Sequence, residues 1–176
     1  YVPQEDRRNP HELAIRGVKC FEAGNFLHAL LFYREAYSIS KSALLTGAIG
    51  RSLQELGYPD LAREYYKSYL RIQRRETRGY EKIRARLDVV DQEIAERSSE
   101  VTIETTPGDA KAYVVLEGEY WEELGATPVT VRLLPGDYRV VVRKADFVTE
   151  ELSVEVSENR SPVQVRADLI SQDALF

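Results

Sequence analysis

Residues 17–69 carry the same pattern twice. Gly17, Gly24, Ala29, Tyr33 and Ala36 return as Gly50, Gly57, Ala62, Tyr66 and Tyr69, every pair 33 residues apart. A fixed interval of this length marks a repeated supersecondary unit, and within each unit the apolar positions follow the helical period. One period is expected to be one helical hairpin. Small residues at Gly17, Ala29, Gly50 and Ala62 admit two antiparallel helices to the roughly 8 to 10 Å at which side-chain ridges interlock. Tyr33 and Tyr66 supply bulk beside each close contact, and Gly24 and Gly57 stand where the first helix stops and the chain reverses.

Behind a polar arm at residues 1–9, Asn9-Pro10 supplies an N-cap and a first-turn proline. Helices are predicted over 11–23, 26–39, 43–56 and 60–75. A fifth, amphipathic helix follows, with Tyr80, Ile83, Leu87, Val90 and Ile94 on one face, and it is patterned to cap the apolar end of a two-repeat stack. At Ser98-Ser99 the period changes to alternation, as in Val101 and Ile103, Val129 to Leu133, Tyr138 to Val142 and Leu152 to Val156. Turn signals punctuate this half, so six or seven short strands are expected between 100 and 170. The fold class is α+β in two domains: an all-α repeat domain with its cap over residues 10–98 and a small β-sandwich over 99–176.

The repeat residues resemble the tetratricopeptide repeat, over Pro10 to roughly Gln73. Leu13 and Thr46 stand where that family has an aromatic in the first helix, and Lys41 where it has a closing proline. The resemblance implies a partner-binding solenoid and no chemistry. The second half, with Thr106-Pro107-Gly108-Asp109-Ala110, then Gly125-Ala126-Thr127-Pro128, then Leu134-Pro135-Gly136-Asp137-Tyr138, resembles the PEGA domain. There the third signature is a Pro-Gly-acid-Tyr hairpin, and the family's usual Gly-Tyr is Asp146-Phe147 in this chain. This resemblance implies a compact β-sandwich of bacterial envelope and surface-associated proteins, often beside helical repeats.

Composition excludes several classes of function. With 43% hydrophobic and 30% charged residues the chain reads as soluble and globular, and no apolar run approaches the roughly 20 residues of a membrane span. Seventeen basic residues stand against 14 acidic ones before Ser99, and 7 against 15 from there on, so the halves carry +3 and −8. An acidic whole without a nucleic-acid motif excludes nucleic acid as partner. His11 and His28 lack partners at ligand spacing, and Cys20 reads as core, so no metal, cofactor or catalytic residue is expected. A chain without methionine that opens at Tyr1 is either a processed product or a deliberately trimmed one; removal of a secretory signal is one ordinary explanation, and it agrees with the expected periplasmic or envelope location.

By the resemblance and by helical spacing, the first helix of each hairpin lines a concave groove. His11, Val18, Phe21 and Glu22 would face it from the first unit, and Leu44, Arg51, Gln54 and Glu55 from the second. An apolar floor with polar groups suits an extended or helical peptide. The alternative for Phe21 is packing against the arm. Two further surfaces are candidates. The basic run through Arg71, Arg74, Arg75 and Arg78 to Arg86 reads as a solvated face with Glu76 and Glu81 pairing into it, as a grip on an acidic partner, or as a lipid contact. The loop Glu117 to Glu123, with Tyr120 and Trp121, reads as Trp121 folded over the sandwich edge with solvated acids, as a partner contact, or as a catalytic pair. The expected function is a non-enzymatic adaptor or scaffold subunit of a bacterial cell-envelope assembly, binding protein partners, with a second copy of the chain among the candidates. A carbohydrate or cell-wall binding module on the β-domain, or a subunit regulating an enzyme, is the alternative.

Overall fold

The computed structural model describes residues 9–117 and 120–175, so the arm before Asn9 and the pair Gly118 and Glu119 lie outside the described residues. Asn9 caps the first helix by accepting the His11 backbone N–H at 2.9 Å on its side chain, and Pro10 occupies the first turn, where no N–H is needed. Five helices follow: α1 (Pro10–Glu22), α2 (Phe26–Ser40), α3 (Ala43–Glu55), α4 (Pro59–Ile72) and α5 (Arg78–Arg97). α4 stops at Ile72, three residues short of the expected end, and a short connection leads into α5. The backbone divides into two compact units, between Gln92 and Glu93 within α5.

In the first unit both hairpins are built alike. Gly24 and Gly57 take φ of 76° and 89°, the left-handed region that ends a helix, and the next residue in each case donates its N–H to a carbonyl five residues back: Asn25 to Cys20 at 2.8 Å and Tyr58 to Leu53 at 2.9 Å. Each hairpin then closes on a glycine against a tyrosine. A Cβ on Gly17 would overlap the Tyr33 ring, and one on Gly50 would lie 2.7 Å from Cε1 of Tyr66. Tyr69 occupies the corresponding place one layer on, where a Cβ on Gly47 would come within 2.9 Å of its ring. Ala29, Ala62 and Tyr66 are fully buried.

The second unit has seven strands: β1 (Ser99–Thr106), β2 (Lys111–Val115), β3 (Trp121–Ala126), β4 (Val129–Leu133), β5 (Gly136–Arg143), β6 (Glu150–Val156) and β7 (Val163–Asp168). They form two sheets, ordered β4-β1-β7 and β3-β2-β5-β6. β7 runs parallel to β1, and the other pairs are antiparallel. Val101, Ile103, Leu133, Val140, Val142, Val154 and Val156 form the core, as alternation predicts. The Pro135-Gly136-Asp137-Tyr138 segment, expected as a hairpin, instead carries the chain from one sheet to the other, because β4 and β5 do not pair. Its tyrosine ties the crossing down by donating its hydroxyl to the Leu134 carbonyl at 2.7 Å.

Thr127 clasps the two other turns together. Its hydroxyl accepts the Ala110 N–H at 3.0 Å and shares a hydrogen bond with the Thr105 hydroxyl at 2.6 Å, while its carbonyl accepts the Asp109 N–H at 2.9 Å. Asp146 has φ of 66°, which explains how it stands in for the usual glycine: aspartate tolerates the left-handed region better than other side-chain-bearing residues.

Two outcomes follow from this packing. Gly50→Ala and Ala62→Leu should each overpack the second hairpin and cost roughly 1 to 3 kcal/mol, read as a lower melting temperature of the helical transition; an unchanged melt would refute the close-contact assignment. Thr127→Val, nearly isosteric, should leave the Ala110 N–H unpaired and cost about 1 to 3 kcal/mol in denaturant unfolding, whereas Thr127→Ser should recover most of it.

Candidate functional site

The first-helix face of the repeats separates into two kinds of residue. His11, Val18, Glu22 and Glu55 are exposed, and Leu44 is 64% exposed although it is apolar. Phe21, Arg51 and Gln54, by contrast, are half-buried and held by neighbours. Phe21 meets Phe26 edge-on at 5.1 Å, and the Arg51 guanidinium carbon lies 4.6 Å from the centre of the Phe21 ring. Phe21 is thus covered by α2 and α3 residues and does not form an open apolar floor. The Gln54 carbonyl accepts the Tyr66 hydroxyl at 2.6 Å and Arg86 Nη1 at 3.2 Å. Gln54 was expected to present hydrogen bonds to a peptide, but its acceptor is already spent on the framework.

Between α3, α4 and α5 a cavity of about 540 Å³ opens, lined among others by Leu44, Arg51, Tyr69, Lys82, Ile83 and Arg86. Its apolar wall is Leu44, Tyr69 and Ile83, and its charged wall holds three cations. Arg86 is steadied by Gln54 and lies 3.9 Å from Glu55. Among the described residues Lys82 has no hydrogen bond or ion pair, and Arg51 Nε is buried without an acceptor. The sequence assigns Leu44 and Arg51 to the first-helix groove and Lys82 and Arg86 to the basic run, and does not bring the two sets together; the available signal was the spacing of four among Arg78, Lys82 and Arg86, which aligns all three on one face of α5.

Arg71, Arg74, Arg75 and Arg78 are exposed at the end of α4, in the connection and at the start of α5. The expected pairing with Glu76 and Glu81 does not form. Helical spacing cannot hold across the break between Ile72 and Arg78, which leaves Glu76 outside any helix.

On the β-domain, Tyr120 and Trp121 do not share a platform. Strand alternation turns Trp121 to the outer face, 5.7 Å from Tyr113 on β2 and 5.8 Å from the Arg143 guanidinium carbon on β5. Trp121 lies in the edge strand itself. The Tyr120 hydroxyl donates to Glu122 at 3.2 Å, and Glu122, opposite Val114, is buried at 6% exposure instead of solvated as expected. Glu117 and Glu123 are exposed, and Glu123 meets Lys111 at 3.7 Å. Cys20 is half-buried. His11 and His28 are exposed on separate helices. Among the described residues no three His, Cys, Asp or Glu side chains converge, and no helix is long and apolar enough to cross a membrane.

The electrostatics of the repeat face give a pH dependence. Burial pushes the Tyr66 phenol up to about 12 from its ordinary 10.0, against the opposing pull of Arg86 and Arg51, and burial raises Tyr33 in the same sense. The unfolded phenol ionises near 10, so this contribution to stability is whole below about pH 10 and is lost between about pH 10 and 12. For Tyr66 it amounts to about 3 kcal/mol. Tyr66→Phe should cost about 1 kcal/mol at pH 7 and flatten part of the alkaline fall in stability, measured by denaturant unfolding at stepped pH. An alkaline slope identical to that of the parent would show that the phenol is not protected.

No curated protein matches the chain. Residues 98–168, from the end of α5 through β7, match the family model of the PEGA domain.

Proposed function

We propose that the chain is a non-enzymatic adaptor, a scaffold subunit of a bacterial cell-envelope assembly, whose helical hairpins are tetratricopeptide repeats that hold a segment of a partner protein. The observation that carries this reading is the first-helix face, where Val18 and Leu44 stand 45% and 64% exposed beside a firmly hydrogen-bonded framework. Apolar groups left uncovered on a rigid helical face are what a peptide needs for affinity. The 33-residue interval, the paired Gly–Tyr contacts and the identical helix ends support repeats of this family. The match to the PEGA domain supports an envelope or periplasmic setting by what that resemblance implies; in this reading the β-domain holds a second partner or spaces the first from the envelope. The carbohydrate alternative has less support, since Trp121 is engaged by Tyr113 and Arg143 and Tyr120 faces the other way.

The test is affinity capture from native envelope with the full chain as bait. Val18→Glu with Leu44→Glu should reduce recovery of the specific partner at least tenfold while the melting temperature stays within a degree or two, because both side chains are exposed. Undiminished capture would remove the first-helix face from the interface. The double change Arg51→Ala with Gln54→Ala is the wrong probe, since it would dismantle the support of Phe21, Tyr66 and Arg86.

A further inference from the structure

From the cavity between α3, α4 and α5 we infer that the helical unit selects an acidic peptide segment, its carboxylates seated on Arg51, Lys82 and Arg86 and an apolar side chain against Leu44 and Ile83. The inference deepens the adaptor reading and rests on it. Three observations carry it. The first is charge: among the described residues the cavity wall holds three cations and no carboxylate, and Glu55 approaches Arg86 at 3.9 Å. The second is an unspent donor, Arg51 Nε, buried without an acceptor beside that wall. A buried donor of this kind is normally paired, and a turn of the Arg51 side chain from the Phe21 ring toward the cavity would offer it to a carboxylate oxygen there.

The third is spacing. Arg78, Lys82 and Arg86 succeed one another at intervals of four on α5, an arrangement that destabilises a helix by like-charge repulsion. Arg78 and Lys82 receive no compensating acid among the described residues. Four residues of helix rise about 6 Å, close to the repeat of alternate side chains on an extended segment. An extended chain with acids at every second position therefore matches the stripe, and a cavity of about 540 Å³ takes side chains of such a segment but no second helix about 10 Å across.

The experiment uses the immobilised full chain and two degenerate hexapeptide pools, one built from Asp, Glu, Leu and Phe and the other from Asn, Gln, Leu and Phe. The acidic pool should be retained at least tenfold over the amide pool, with retention falling several-fold between 50 and 300 mM NaCl. Lys82→Glu, an exposed site without internal partners, should abolish the preference at unchanged melting temperature. Equal retention of the pools, or a preference indifferent to Lys82→Glu, would overturn the inference. So would Lys82-dependent cosedimentation with phosphatidylglycerol vesicles without peptide retention, which would assign the stripe to lipid. Loss of native-partner capture in the Val18 and Leu44 variant alongside equal pools would sink the charge selection while leaving the adaptor reading standing.

Discussion

The helical unit depends on one steric fact, that Gly50 leaves room for the Tyr66 ring. With the ring lying on the glycine backbone, its hydroxyl emerges at one place only, within 2.6 Å of Gln54. Gln54 then has one more lone pair to offer, and Arg86 of α5 takes it. A backbone contact between the two helices of a hairpin thereby fixes a guanidinium on the next helix and gives the neighbouring cavity its charged wall. The first hairpin shares the glycine and the tyrosine but ends differently: burial lifts the Tyr33 phenol, and Arg51 opposes that rise while also stacking on Phe21.

The β-domain is held by a different economy. Its core is aliphatic and alternates cleanly, so sheet register follows from burial of one face of each strand. Turn chemistry adds to that packing of the two sheets, with Thr127 binding two turns and Tyr138 a third. Residues that look like motif punctuation in the sequence thus act as polar rivets at sites where backbone groups would otherwise be buried without partners.

What was legible in the sequence was periodic or local. The glycine and tyrosine interval, the helix caps, the alternating valines and the change of period at Ser98 all act over a few residues or repeat at a fixed distance, and each appears in the structure. What escaped depends on tertiary register. Gln54 reads as an available polar group because Tyr66 and Arg86 lie 12 and 32 residues away, and nothing local announces that they meet on it. Glu122 reads as solvated in a run of acids, yet its place opposite Val114 turns it inward, and Tyr120 follows it while Trp121 goes outward. Leu134 to Tyr138 has the composition of a hairpin turn, and only the sheet order shows that it joins two layers. Val141 is buried together with Val140 and Val142 although it stands on the outer face, paired in register with Tyr113, and alternation alone cannot reveal this.

The same distinction decides which residues of a repeat face can bind. A side chain whose polar atoms are committed within the fold has little left to give a partner, and truncating it damages the scaffold before it damages recognition. Gln54 and Phe21 are of that kind. Val18, Leu44 and Lys82 are not: the first two leave apolar surface in water, and the third leaves a charge uncompensated beside two guanidinium groups. Each is mildly unfavourable for the isolated fold, and a partner that is acidic and partly apolar relieves both costs at once. The surface we propose for recognition therefore lies where the chain's own packing has left work unfinished, next to the residues that packing has fixed most firmly.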